Sequence, residues 1–152
     1  MKKILAILAL AAIAGTAMAV EVGVTAVDAT SSDAYHNRNG YGVTVGENFG
    51  AYNVTAGVSR FYREANDQTR VSLVGSREVA KVGPVALSGR VGLAFLNNQT
   101  GADGSALTVG VGAQVPVTAK VAATLSVDRQ YGQDRVRTFD GNIVTAGVKY
   151  SF

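Results

Sequence analysis

Apolar and small side chains alternate strictly over long stretches of this sequence, and this pattern constrains the fold more than any other feature. Between Val85 and Phe95, valine, leucine and phenylalanine fill most of one set of alternate positions, while alanine, serine, glycine and arginine fill the other. A similar alternation runs through residues 107–115 and 119–127. Successive side chains of a strand point to opposite faces, so a period of two indicates strands rather than helices. The sequence after Ala19 therefore predicts an all-β fold.

The connections between the predicted strands alternate in length. Those near 49–50, 80–83 and 116 are short, whereas four others are longer and rich in Asn, Asp, Gly and Ser. An even number of strands with short turns at one end and long loops at the other is typical of outer-membrane barrels. We therefore predict an eight-stranded antiparallel up-and-down transmembrane β-barrel with both termini on the short-turn, periplasmic side. Its strands are expected at 20–29, 40–48, 51–62, 69–79, 84–95, 105–115, 117–128 and 142–152, and its long loops at 30–39, 63–68, 96–104 and 129–141.

A soluble β-sandwich is the alternative all-β architecture, and the distribution of aromatic residues weighs against it. No aromatic residue occupies the centre of a predicted strand, where a globular core would hold one. Tyr52 and Tyr62 share one face, and the ten residues between them span about 25 Å along a tilted barrel, the height of a transmembrane apolar band. Two aromatic girdles at the membrane surfaces explain this placement, and we assign to them Tyr41, Phe49, Tyr52, Tyr62, Phe95, Tyr150 and Phe152.

The first nineteen residues have the features of a secretory signal peptide. Lys2 and Lys3 precede an apolar stretch over 4–14 that is too short to span a bilayer, and Ala17-Met18-Ala19 supplies the small residues of a cleavage site. We predict a cleaved signal peptide over 1–19 and a barrel over 20–152, the alternative being an uncleaved membrane anchor. The whole chain has 14 Lys and Arg against 11 Asp and Glu, so loss of the two lysines leaves a net charge of +1. With no basic run interleaved with aromatics, no nucleic-acid partner is expected.

The C-terminal segment Gly147-Val148-Lys149-Tyr150-Ser151-Phe152 alternates up to a terminal phenylalanine. It resembles the signal that the barrel-assembly machinery of Gram-negative bacteria recognises, with Gly147, Tyr150 and Phe152 as its expected elements. The chain from 20 to 152 resembles the OmpA/OmpX-type group of small outer-membrane barrels. That resemblance implies an outer-membrane location and, as partners, the membrane lipids, lipopolysaccharide, the assembly machinery and periplasmic chaperones. Because the sequence ends at Phe152, the periplasmic domain of full OmpA-type proteins is not expected.

The fourth predicted strand is the least regular. Strict alternation places Val74 inside the barrel and Arg77 outside, where Arg77 and Arg60 lie near opposite membrane boundaries and can extend towards headgroups. A β-bulge in this strand is the other possibility.

Charged side chains on the inward face predict a polar network at the periplasmic end of the lumen. Because the first and last strands of a closed barrel pair, Glu21 and Lys149 are expected to be neighbours. Isolated charges in a narrow lumen are costly, so a paired network is expected. It either plugs the barrel, which we favour because side chains just fill eight strands, or gates a thin water path. Its predicted members are Glu21, Glu78, Arg90, Lys120 and Lys149.

Sites for chemistry are scarce. His36, the only histidine, lies in the first long loop with Ser31, Ser32 and Asp33 nearby, which leaves a lipid A-modifying enzyme as a minor alternative. No metal-ligand spacing and no cofactor motif occurs, and there is no cysteine. Among the functions that the resemblance implies, we favour a structural or surface-interaction role without enzymatic activity, through an unknown ligand of the long loops. A narrow porin-like channel for ions or small solutes is the main alternative.

Overall fold

The computed structural model describes residues 20–31, 38–62, 67–98, 104–132 and 140–152. The predicted signal peptide, His36, Ser32, Asp33 and much of each long loop lie outside these residues. All eight predicted strands are present: β1 (Val20–Ser31), β2 (Arg38–Phe49), β3 (Tyr52–Tyr62), β4 (Gln68–Val82), β5 (Val85–Asn98), β6 (Gly104–Pro116), β7 (Val121–Gly132) and β8 (Gly141–Ser151).

The strands form a single closed antiparallel barrel, which confirms the predicted fold class. Each strand pairs with its neighbours in the sequence, and β8 pairs with β1 from Glu21 opposite Ser151 to Ser31 opposite Gly141. The backbone N–H of Phe152 also donates to the carbonyl oxygen of Val20, 3.1 Å away, so the two ends of the described chain meet. Closure leaves no open sheet edge among the eight strands, which excludes a sandwich of two separate sheets.

The stagger of the strands follows from their register. Starting at Glu21 and moving from each residue to its directly opposed partner on the next strand, the path returns to β1 at Ser31, ten residues further along (31 − 21 = 10). With eight strands, this shear corresponds to a tilt of about 40° from the barrel axis, in the usual range for outer-membrane barrels. A barrel of this size has an interior that side chains just fill.

The two faces of the sheet differ in the sense that the alternation predicts. The inner face carries mostly Gly, Ala, Ser and Thr, with Thr108, Ser126 and Ala94 among its buried members. The outer face carries branched apolar side chains that are freely exposed on the isolated barrel, such as Val24 at 62 %, Leu73 at 53 % and Val111 at 64 %. A continuous apolar exterior of this extent needs a lipid environment. Within the described residues, no helix is long and apolar enough to cross a membrane.

Two hairpins at the terminus-bearing end use two-residue turns that begin with glycine. Gly50, between the paired residues Phe49 and Tyr52, has φ of 65°, and Gly83, in the turn after Val82, has φ of 58°. A type II′ turn requires this left-handed conformation at its first central position, and glycine adopts it without steric cost. The short connection predicted at 80–83 is therefore displaced to 83–84, since β4 continues to Val82.

The irregularity in β4 combines both predicted alternatives. Val74 points inward and is 7 % exposed, whereas Arg77 is exposed on the outside, as strict alternation requires. The register with β5 then shifts between Glu78 and Ala80, so Val79 is the extra residue of a β-bulge. Beyond the bulge, Ala80, Lys81 and Val82 still pair with β5, so β4 ends at Val82, three residues past the predicted end at residue 79.

The bounds predicted for the seventh strand, 117–128, are wrong by four residues at both ends, since β7 runs over Val121–Gly132. Residues 117–120 form a turn in which the N–H of Val117 donates to the carbonyl of Val121 at 2.8 Å. The hydroxyl of Thr118 accepts from the backbone N–H of Lys120 at 3.2 Å and of Val121 at 3.0 Å. Such local bonds of a threonine compete with strand pairing, and the alternation of Val117 and Ala119 conceals the turn.

Candidate functional site

The closure of the barrel brings Glu21 and Lys149 together in the lumen. Lys149 lies opposite Gly23, two residues from Glu21 on the same face, and its Nζ is 2.8 Å from Glu21 Oε2. Asn53 Nδ2 donates to the same carboxylate oxygen at 3.1 Å, and the Ser151 hydroxyl donates to Oε1 at 3.4 Å. The side chains of Glu21 and Lys149 are 10 % and 17 % exposed. This shielded carboxylate therefore has a charged partner and two neutral donors, as a buried charge requires.

A second ion pair lies inside the lumen, further from the short turns, and joins side chains of β5 and β7. Arg90 Nε is 2.9 Å from Asp128 Oδ1, and the Ser126 hydroxyl donates to Oδ2 at 3.3 Å. Arg90 lies on β5 and Asp128 on β7, and the residue opposite both of them on β6 is Gly110. A Cβ atom at Gly110 would lie 2.3 Å from Asp128 Oδ1, so only glycine leaves room for the pair.

Asp128 was not among the predicted members of the charge network. It was assigned to the last position of the predicted strand, next to a loop, whereas β7 continues four residues beyond it. Asp128 is in fact the most enclosed carboxylate of the described lumen ion pairs, with a side chain 7 % exposed. The inward alternation of Thr124, Ser126, Asp128 and Gln130 was the signal that could have identified it.

Two predicted members of the network, Glu78 and Lys120, form no ion pair with the other three among the described residues. Lys120 lies in the turn before β7 rather than in a strand, and its Nζ lies 5.7 Å from the centre of the Tyr150 ring on the outer rim. Glu78 is exposed beside the β-bulge, where its backbone N–H donates to the carbonyl of Ala51 at 3.3 Å. The inward placement of Lys120 was wrong because strict alternation ceases at the rim, where the strand has not yet begun. Glu78 does face the lumen, opposite Ser88 and in the wall of the same cavity as Glu21, but it is exposed there and not buried.

In the part of the barrel that the structure describes, the lumen contains two unequal cavities with a packed layer of side chains between them. A cavity of about 220 Å³ occupies the short-turn half and is lined mainly by small, hydroxyl and amide side chains together with Glu21, Glu78, Arg90 and Lys149. A cavity of about 20 Å³ occupies the long-loop half. The buried cluster of Val27, Phe61 and Ile143 lies on the loop side of the Arg90–Asp128 pair, and Phe61 is only 1 % exposed. Ion pair and cluster together close the middle of the barrel.

The long-loop half contains buried polar residues that sequence reasoning missed. Each was assigned to a loop or to the end of a strand, whereas the observed strands continue far enough to place them inside the barrel. Continued alternation past the predicted strand ends was the available signal. These residues are Arg38, Gln68, Arg70 and Gln130, between 3 % and 6 % exposed.

The aromatic residues assigned to girdles all lie on the outer surface. At the short-turn end, the rings of Tyr150 and Phe152 are in edge-to-face contact with centroids 5.0 Å apart. At the long-loop end, the ring centroids of Tyr41 and Tyr62 lie 5.4 Å apart, and the hydroxyl of Tyr62 donates to that of Tyr41. Exposure ranges from 39 % for Tyr150 to 75 % for Phe152. Rings with polar tips at both edges of an apolar band suit the two membrane–water interfaces.

Comparison with solved structures identifies the architecture. No protein-family model matches this sequence, and no curated protein matches it either. Neisserial surface protein A superposes with a TM-score of 0.67 at 15 % identity, covering 89 % of this chain and 97 % of that protein. The N-terminal β-barrel domain of Pseudomonas aeruginosa OprF gives 0.69 at 16 % identity, covering 88 % and 97 %. The outer-membrane protein Ail of Yersinia pestis gives 0.59 at 12 % identity, covering 90 % and 100 %.

The fold is that of the small outer-membrane β-barrels. In barrels of this kind the apolar band lies in the outer membrane and the short turns lie on the periplasmic side. The outward arginines of this chain lie at the two interfaces: Arg77 is 5.3 Å from the centre of the Tyr52 ring, and Arg60 is 5.7 Å from that of Tyr62. Neither charge lies at the membrane midplane, where an arginine would cost about 2–4 kcal/mol.

Proposed function

We propose that this protein is an integral outer-membrane barrel with a closed lumen and a structural or surface-interaction role. The observation that supports this most directly is the packed layer across the barrel. The Arg90–Asp128 pair at 2.9 Å and the cluster of Val27, Phe61 and Ile143 separate the two cavities. A barrel that is filled in this way is a stable scaffold for its loops and does not provide a continuous water column.

A narrow channel is the second candidate, and the polar cavity on the periplasmic side is the observation in its favour. Its volume of about 220 Å³ accommodates several water molecules, and Glu21, Lys149 and Arg90 contribute charge to its wall. Conduction requires the Arg90 side chain to leave Asp128 and the apolar cluster to open as well. The second requirement favours the closed barrel, because a rearranged ion pair still leaves Phe61 and Ile143 across the path.

Planar-bilayer recording of the chain from residue 20 to 152 distinguishes the two functions. We expect conductance at the lipid background for the wild type and also for Asp128→Asn, which weakens the ion pair but leaves the apolar cluster in place. Asp67→Asn is the matched control, because that carboxylate pairs with the exposed Arg60 at 2.7 Å, outside the lumen. Discrete wild-type openings that become more frequent in Asp128→Asn but not in Asp67→Asn would establish the channel instead.

The proposed partners follow from the outer surface. The girdle aromatics and the apolar band suit contact with outer-membrane lipids, and at the long-loop end Arg60 and Arg129 stack on Tyr62 and Tyr131, close to where lipopolysaccharide phosphates lie. We also propose contacts with periplasmic chaperones and the barrel-assembly machinery during biogenesis, through the C-terminal residues Tyr150 and Phe152. The long polar loops are the segments through which a surface ligand would bind. No catalytic role forms part of the proposal.

A further inference from the structure

In the long-loop half of the lumen, Arg70 is a buried charge that has no direct partner among the described residues. The residue is 6 % exposed, and its Nε has no hydrogen-bond partner among the described residues. The carboxylate of Asp128 attracts the charge of Arg70, but Oδ1 of that carboxylate is already 2.9 Å from the Nε of Arg90. Asp128 and Arg90 therefore neutralise each other, and the positive charge of Arg70 has no counterion among the described residues.

A second unsatisfied donor lies next to this charge. Gln68 is two residues from Arg70 on the same strand and therefore on the same face, and it is 3 % exposed. Its amide nitrogen Nε2 has no hydrogen-bond partner among the residues that the structure describes. Both side chains line the cavity of about 20 Å³, whose wall also includes the polar Arg38, Gln130 and Asn142 and the apolar Phe61, Leu96 and Ile143. Two donors thus meet in one small, partly apolar space.

The energetics of burial indicate which ligand such a space accepts. An uncompensated buried charge is costly, and a buried donor without an acceptor adds about 1–3 kcal/mol. A neutral water molecule satisfies donors but does not offset the charge of Arg70, whereas an anion does both. A cavity needs about 10–15 Å³ to hold one water-sized occupant, so about 20 Å³ suits a monatomic ion better than phosphate or a carboxylate.

We propose that this cavity binds one halide-sized monovalent anion, held by Nε of Arg70 and the amide Nε2 of Gln68. Chloride is the halide that a bacterial environment supplies at high concentration. The anion offsets the charge of Arg70 on the long-loop side of the Arg90–Asp128 pair. Because it binds only the folded barrel, the stability of the barrel depends on the halide concentration. The anion site lies in the cavity of the long-loop half alone, so its occupancy does not depend on whether the lumen conducts.

Chloride-dependent unfolding of the refolded chain from residue 20 to 152 tests the proposal. Sodium chloride is exchanged for sodium gluconate at constant sodium concentration, because gluconate is too large for the cavity. Above the dissociation constant, each tenfold rise in chloride should raise the folding equilibrium constant of the wild type about tenfold. Arg70→Gln should abolish this dependence. Arg77→Gln, which removes an outward arginine from the same strand, should retain it in full.

A wild type that does not respond to chloride would overturn the proposal, as would an equal response in Arg70→Gln. If Arg70→Gln fails to fold, Gln68→Leu replaces it, since it removes one donor while keeping the charge, and it should weaken chloride binding at least tenfold. Bromide in place of chloride provides an independent measurement on the wild type. An anomalous diffraction peak within hydrogen-bond distance of Arg70 Nε and Gln68 Nε2 supports the site, and the absence of a peak there at saturating bromide contradicts it.

Discussion

Gly110→Ala tests whether the central ion pair depends on a strand position without a side chain. Gly110 lies opposite Arg90 on one side and Asp128 on the other. An added Cβ would lie 2.3 Å from Asp128 Oδ1, 2.3 Å from the carbonyl oxygen of Val127 and 2.6 Å from the Cα of Asp128. Two of these three atoms belong to the backbone, so rotation of the Asp128 side chain does not relieve the clash.

The expected magnitude combines two costs and one small gain. Overpacking of this kind costs about 1–3 kcal/mol. Displacing the Asp128 carboxylate leaves Arg90 unpaired, and breaking a buried pair costs about 3–5 kcal/mol, less here because the Arg90 side chain is 25 % exposed and faces the water-accessible cavity. Alanine recovers about 0.5–1 kcal/mol relative to glycine in a strand. We therefore expect a net loss of about 2–5 kcal/mol in the free energy of unfolding.

Urea unfolding of the chain from residue 20 to 152 in detergent micelles measures this loss, followed by far-ultraviolet circular dichroism and by the gel mobility of the folded barrel. Gly89→Ala is the matched control, since the nearest atom to its added Cβ is Val79 Cγ1 at 3.8 Å. This variant should equal or slightly exceed the wild type in stability. A stability of Gly110→Ala within about 0.5 kcal/mol of the wild type, the usual range for a surface change, would show that the ion pair does not depend on Gly110, as would equal losses in both variants.

Three further predictions concern the pair at the closure, the C-terminus and the histidine. Glu21→Ala should lower the free energy of unfolding by up to about 3–5 kcal/mol, because Lys149 loses its partner, whereas the exposed Glu78→Ala should change it little in the same urea assay. Deletion of Phe152 should reduce the amount of folded barrel in outer-membrane fractions, and undiminished assembly would contradict the predicted signal. His36→Ala should leave lipid A acylation unchanged by mass spectrometry, and an altered acyl pattern would favour the enzyme alternative.

Sequence reasoning succeeded where one local rule decides the outcome. The period of two residues determines which side chains share a face, and the alternation of short and long connections determines the order of the strands. The pairing of Glu21 with Lys149 was predictable for a related reason. In a closed barrel with an even number of strands, the beginning of the first strand and the end of the last must meet, whatever the length of the loops between them.

Only the tertiary structure decided which inward charges pair elsewhere. Arg90 meets Asp128 because the register of β5, β6 and β7 places Gly110 between them, and a shift of two residues in either pairing would preserve every facing but separate the charges. Gln68 became a lumen residue only because β4 begins inside a predicted loop, whereas Arg70 was already within the predicted fourth strand. The number of residues in each turn and bulge sets the register, and these local geometries depend on contacts across the closed sheet, which the pattern along a single strand does not contain.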